Sequence, residues 1–114
     1  MIFVLPNVLP TTLLDKLKSA FDSGAFVDAA QTVGVTNIKR KRNEEHQTSS
    51  ALRKELSDEV RQSLQAHNVF NLTVQSKRVG DVLLIRYRKG MFYGSHIDNT
   101  VMNCAGTTIW RSDL

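Results

Sequence analysis

Leu52, Leu56, Val60 and Leu64 recur every four residues, a spacing that lines one side of an α-helix with an apolar stripe that must pack on something. Ser49 or Ser50 precedes the run as a helix cap. An earlier helix is marked by Leu13, Leu14, Leu17, Ala20 and Phe21, with Thr11 or Thr12 as its cap, Asp15 completing a Thr-x-x-Asp start and Gly24 as its stop. Two such stripes need a second layer to cover them.

The rest of the chain supplies strand-like patterns. Residues 1–5 are apolar and end at Pro6, reading as a first strand; residues 26–38, where Val33 and Val35 alternate around Gly34, read as a strand or extended segment. The polar stretch 39–50 lacks periodicity and reads as a loop. Strands are expected over 69–74 and 79–88, with Gly80 and Asp81 as a turn or bulge. In the second of these, Leu83, Ile85 and Tyr87 share one face and Val82, Leu84, Arg86 and Arg88 the other. Tyr87 thereby joins an apolar face, its hydroxyl directed inward, where a buried tyrosine finds a hydrogen-bond partner. It reads equally as a core aromatic with its hydroxyl at the rim. Residues 107–114 form a strand that stops at the last residue without turn residues or a partner strand, which predicts truncation.

His96 and Asp98 lie two apart after Gly90 and Gly94, the glycines permitting a turn and a close backbone approach. On an extended backbone an imidazole and a carboxylate so spaced project together and can hold a metal ion. With a second imidazole they make the facial triad of non-haem Fe(II) oxygenases. The chain's other imidazoles are His46, in the polar stretch, and His67, at the end of the second helix, where a protonated ring favourably meets the negative end of the helix dipole. A bare His-x-Asp is a weak signal, because a strand histidine is more often packed or hydrogen-bonded than metallated. On a regular strand Tyr93 faces away from His96 and reads as a packing residue. Asn99 can orient Asp98 or cap the next turn.

The surroundings sharpen the motif. The run Arg86-Tyr87-x-x-Gly90-x-x-Tyr93-x-x-His96-x-Asp98-Asn99 resembles the iron- and 2-oxoglutarate-dependent dioxygenases of the prolyl-hydroxylase type, in particular the bacterial PKHD-type hydroxylases. Upstream, Phe26-Val27-Asp28, Thr32 and Lys41-Arg42-Asn43-Glu44-Glu45 look like that family's W-V-D, T and K-x-N-x-[QE] positions, and the segments at Ser50 to Leu56 and Asn68 to Phe70 resemble the family's next helix and short strand entry. The resemblance covers nearly the whole chain and about the first half of such an enzyme. It implies an α+β fold in which helices in a support region, residues 1–68, pack on the first strands of a double-stranded β-helix (jelly roll), residues 69–114. It implies His96 and Asp98 as catalytic Fe(II) ligands, Tyr87 as a 2-oxoglutarate-binding residue, Tyr93 on the substrate side, and Lys41 and Asn43 at the mouth of the site. It also implies oxidative decarboxylation of 2-oxoglutarate to succinate with hydroxylation of a protein residue or small molecule, ascorbate keeping the iron reduced. The family's second histidine ligand and 2-oxoglutarate-binding arginine lie downstream of the motif, beyond residue 114, so the chain alone is expected to be inactive and to need a missing C-terminal half or an oligomeric partner.

Composition keeps one rival open. With 15 Lys and Arg against 11 Asp and Glu, the formal net charge is +4. The run Lys39-Arg40-Lys41-Arg42 could serve a non-catalytic module binding nucleic acid or an acidic partner. Against that, Glu44 and Glu45 come at once after it and no aromatic residues interleave to stack on bases. Hydrophobic content of 41% and charged content of 23% fit an ordinary globular domain. The sequence has no apolar run of the roughly 20 residues needed to cross a membrane and no signal peptide. A lone Cys104 makes no internal disulfide, so a cytoplasmic location is expected, with the thiol either buried or, less in keeping with its neighbours, reactive.

Overall fold

A computed structural model describes residues 2, 4–23, 25–29, 41–47, 50–98, 100–104 and 106–110, without the side chains of residues 102–104. Among the described residues, three helices and seven short strands run in the order α1 (Thr11–Asp22), β1 (Phe26–Asp28), β2 (Lys41–Arg42), β3 (Glu44–His46), α2 (Ala51–Ala66), α3 (Asn68–Val74), β4 (Ile85–Arg86), β5 (Phe92–Tyr93), β6 (Val101–Cys104) and β7 (Thr107–Trp110). The strands form three small antiparallel sheets, ordered β1-β3-β4, β2-β5 and β6-β7. Helices with antiparallel sheets are the α+β make-up expected.

The stripe on α2 packs at Leu56, Val60 and Leu64, whereas Leu52, at its first turn, is exposed. Leu56 is fully buried and joins Val60, Leu13, Ala20 and Leu84 in one core, flanked by Leu9, Leu17, Phe21, Phe26, Leu64 and Val82. Ser50 caps α2, its side chain accepting from the Arg53 amide. α1 begins at Thr11 itself, so neither Thr11 nor Thr12 is its cap: Pro10 takes the cap position, with no side-chain cap bond. Its last turn closes on Ser23, whose amide and hydroxyl both donate to the Ala20 carbonyl; the expected stop, Gly24, lies outside the described residues.

Several expectations are corrected. Residues 69–74 are helical, because the His67 ring, in extended backbone between α2 and α3, accepts from the Phe70 amide through Nδ1 at 3.2 Å and starts a new helix. His67 therefore serves the positive end of α3, as a hydrogen-bond acceptor, where the dipole argument placed it as a cation at a negative end. Residues 41–46 are two strands where a loop was expected: β3 buries His46 and is held by charge, so hydropathy alone hides it. In the segment before β4 the faces are reversed, with Leu84 4% exposed and Leu83 52%. The reason is that the Val82 amide donates to Ser57 of α2 (2.9 Å), which turns the Val82 and Leu84 side toward the helix. Residues 2, 4 and 5 form no strand, and the Ile2 and Val4 side chains are exposed. β7 does have a partner, since β6 pairs with it from Val101↔Trp110 to Cys104↔Thr107 through a turn containing Gly106 at φ 78°. Residues 30–40 and 111–114 lie outside the described residues.

Arg86 ties these layers together. Its guanidinium bonds Glu44 across the β3-β4 pair (2.6 Å), donates to the Phe21 carbonyl at the end of α1 (2.8 Å) and lies 4.1 Å over the Phe26 ring. Arg88 also reaches Glu44, at 3.1 Å. The Arg86 hydrogen bond, with help from Arg88, holds the Glu44 carboxyl below the ordinary carboxylate range against the opposing effect of desolvation.

Candidate metal-binding site

The segment carrying His96 and Asp98 leaves the fold through a tight turn. The Met91 amide donates to the Arg88 carbonyl at 2.9 Å, and Gly90 adopts φ 83°, a conformation L side chains resist. β5 comes next for two residues, pairing Phe92 with Arg42 and Tyr93 with Lys41. Residues 94–98 are irregular, so the regular strand expected for His96 and Asp98 is absent.

The two side chains meet nonetheless. His96 Nε2 is 3.1 Å from Asp98 Oδ1, and His96 Nδ1 is 2.7 Å from the Gly94 carbonyl oxygen. A carbonyl only accepts, so Nδ1 carries the proton and donates. In the neutral ring the Nε2 lone pair then faces a carboxylate oxygen, an arrangement that calls for a proton or a cation shared between them. First-row metal ions hold imidazole nitrogen and carboxylate oxygen at roughly 2.0–2.2 Å. Two such ligands at a right angle stand about 3 Å apart by that geometry. The donor types and their spacing fit a divalent metal.

Tyr93 corrects the expectation that it faces away from His96. Because the backbone bends after β5, the two rings stack with centroids 3.6 Å apart and planes 12° from parallel. Lys41 Nζ lies 5.1 Å from the centroid of the same Tyr93 ring. Tyr87 does not lie inward on an apolar face as expected: it is 47% exposed, its hydroxyl accepting from Asn43 Nδ2 at 3.2 Å. Asn43 is 2% exposed, and its Oδ1 has no hydrogen-bond partner among the described residues. The stack and the Asn43–Tyr87 bond escaped sequence reasoning; the signal was the Lys-x-Asn spacing, which sets both side chains on one side of an extended segment.

Neither other histidine joins the pair. His46 is 1% exposed, edge-on to Phe26 with centroids 5.2 Å apart, and His67 is engaged as a helix cap. Among the described residues no three His, Cys, Asp or Glu side chains gather as a metal-binding group. No described helix is long and apolar enough to cross a membrane. Asn99, Lys39 and Arg40 lie outside the described residues.

No protein-family model matches the chain. It is similar to a PKHD-type hydroxylase of Gloeothece citriformis, 33% identical over all 114 residues, which cover 50% of that protein. A PKHD-type hydroxylase of Synechococcus elongatus is 32% identical over the same 114 residues, 51% of its length. One from Maricaulis maris is 34% identical over 102 residues, 90% of this chain and 46% of that protein. The chain spans about half the length of the curated relatives it matches.

Proposed function

Since the chain belongs along its whole length to the PKHD-type hydroxylases, as an N-terminal portion spanning about half of them, we propose that it contributes His96 and Asp98 as two ligands for Fe(II) in a 2-oxoglutarate-dependent dioxygenase. The observation that carries the reading is the 3.1 Å approach of His96 Nε2 to Asp98 Oδ1 with Nδ1 committed to Gly94.

When bound, Fe(II) with 2-oxoglutarate and dioxygen supplies the oxidising power that hydroxylates a C–H bond, 2-oxoglutarate leaving as succinate and carbon dioxide. The chain's own part is placement. Gly94 fixes the tautomer of His96 and so presents Nε2 as the ligand atom. Asp98 supplies the negative charge that favours a divalent cation over water at that point. Tyr87 offers a phenol to the cosubstrate, ascorbate keeps the iron reduced, and the longer protein closes a double-stranded β-helix around the site. The hydroxylated substrate is a protein residue or a small molecule, and the setting is the cytoplasm.

The third ligand and an arginine for the cosubstrate belong to the other half of the family's length, so the 114 residues alone bind metal weakly and do not turn over 2-oxoglutarate. Anaerobic titration with Co(II), a redox-stable substitute, tests the reading: binding lost in His96→Ala and Asp98→Ala supports it, and equal binding by all three proteins overturns it. Succinate release by the chain alone would overturn the claim of inactivity. The nucleic-acid alternative rests on Lys39 and Arg40, outside the described residues, and on Lys41 and Arg42, of which Lys41 is engaged over Tyr93.

A further inference from the structure

Two residues of one short segment each touch an aromatic ring of the candidate site. Lys41 and Asn43 sit two apart, at and just beyond β2, and reach across to the chain that carries the His-x-Asp pair. Lys41 stands over Tyr93, whose ring is stacked on His96. Asn43 donates to the hydroxyl of Tyr87. We propose that Lys41 and Asn43 are positioning residues, Lys41 pressing the Tyr93 ring flat on the His96 imidazole and Asn43 fixing the Tyr87 hydroxyl as a donor toward the cosubstrate. This rests on the proposed metal ligation by His96 and Asp98.

The physical case has two arms. A cation over an aromatic face is attracted by the ring quadrupole, and β2-β5 pairing sets Lys41 directly opposite Tyr93. The imidazole, held at Nδ1 by Gly94, is then confined at its face as well, so Nε2 has little freedom to turn away from Asp98. Asn43 is 2% exposed, so its amide cannot exchange Tyr87 for water. The Tyr87 oxygen accepts that amide hydrogen, which leaves the phenolic proton for an acceptor on the open side, where the ring is exposed. A carboxylate or keto oxygen is such an acceptor, so the arrangement favours a ligand that presents an oxygen acceptor to Tyr87.

The test uses the whole chain. In proton NMR of the metal-free protein, the His96 ring resonances carry a ring-current shift from Tyr93. Lys41→Met is expected to reduce that shift and weaken Co(II) binding about tenfold, in the range of losses for groups that orient a ligand, and Lys41→Arg is expected to restore both. For the other arm, 2-oxoglutarate is titrated into the Co(II)-loaded wild type, Asn43→Leu, Tyr87→Phe and the double variant. Asn43→Leu and Tyr87→Phe are expected to be non-additive by at least roughly threefold.

Wild-type His96 resonances and Co(II) affinity in Lys41→Met overturn the proposal, whether or not Asn43→Leu folds, because Lys41 is only partly buried. Additive effects at Asn43 and Tyr87, or no 2-oxoglutarate binding by the wild type, overturn it as well. If these occur while His96→Ala still abolishes Co(II) binding, the metal reading survives. Unchanged Co(II) binding in His96→Ala removes both.

Discussion

His96 Nε2 and Asp98 Oδ1 stand 3.1 Å apart on a segment with no regular secondary structure. Their approach is made by a backbone bend and by the Gly94 carbonyl, which holds the far nitrogen of the ring. Asp98→Asn keeps the shape and removes the charge. It is expected to weaken Co(II) or Mn(II) binding by at least about tenfold, the scale on which metal sites respond to altered ligation, measured by calorimetry. Unchanged affinity would show that the pair is only an ion pair.

Glu44 predicts the acid side of the stability profile. Its carboxyl is held low chiefly by the Arg86 hydrogen bond and then by Arg88. A carboxyl lowered in the folded state contributes stability that is present above its unfolded value and is lost as the pH falls toward the lowered one. The melting temperature is therefore expected to fall as the pH drops below the ordinary glutamate range, about 4.3. Glu44→Gln should flatten that limb, and an identical limb in the variant would refute the assignment.

Leu56 anchors the contact between α1, α2 and the segment before β4, and is 0% exposed. Truncation to alanine leaves a hole that close-packed neighbours fill only in part. Leu56→Ala is expected to lose about 2–5 kcal/mol in urea unfolding monitored by circular dichroism, a large share of the stability of a small domain. Leu52→Ala, at an exposed position on the same helix, is expected to change little.

His67 is a helix cap by its acceptor nitrogen. His67→Ala should lower stability by about 1 kcal/mol, the usual loss for a missing cap. His67→Asn, which keeps an acceptor, should recover most of it. Equal loss in both variants would mean that the ring acts through packing.

The sequence was most readable where one force acted alone. The stripe Leu52, Leu56, Val60 and Leu64, with Ser50 as its cap, is a helix by spacing and a core face by hydropathy, and the structure keeps all of it but Leu52, which is exposed. The closeness of His96 to Asp98 was legible too, although the bend that produces it was not. β3 was illegible because Glu44, Glu45 and His46 look like loop residues until Arg86 and Phe26 are set beside them. Residues 69–74 read as strand on their β-branched content, and a single imidazole acceptor at His67 reversed that. Leu83 and Leu84 are equivalent to any hydropathy scale; the bond from Val82 to Ser57 chose between them. The contacts of Lys41 and Asn43 with the site depend on β2-β5 register, which spans about 50 residues of sequence.

The β6-β7 hairpin bears on how unfolding can be monitored. Trp110 is the sole tryptophan, 80% exposed on the last strand of a two-stranded sheet. An isolated hairpin is marginally stable in water, and an indole already wet in the native state gives red-shifted emission before any denaturant is added. Intrinsic fluorescence at the tryptophan band will therefore track this one ribbon, and it will stay nearly silent while the helices around Leu56 melt.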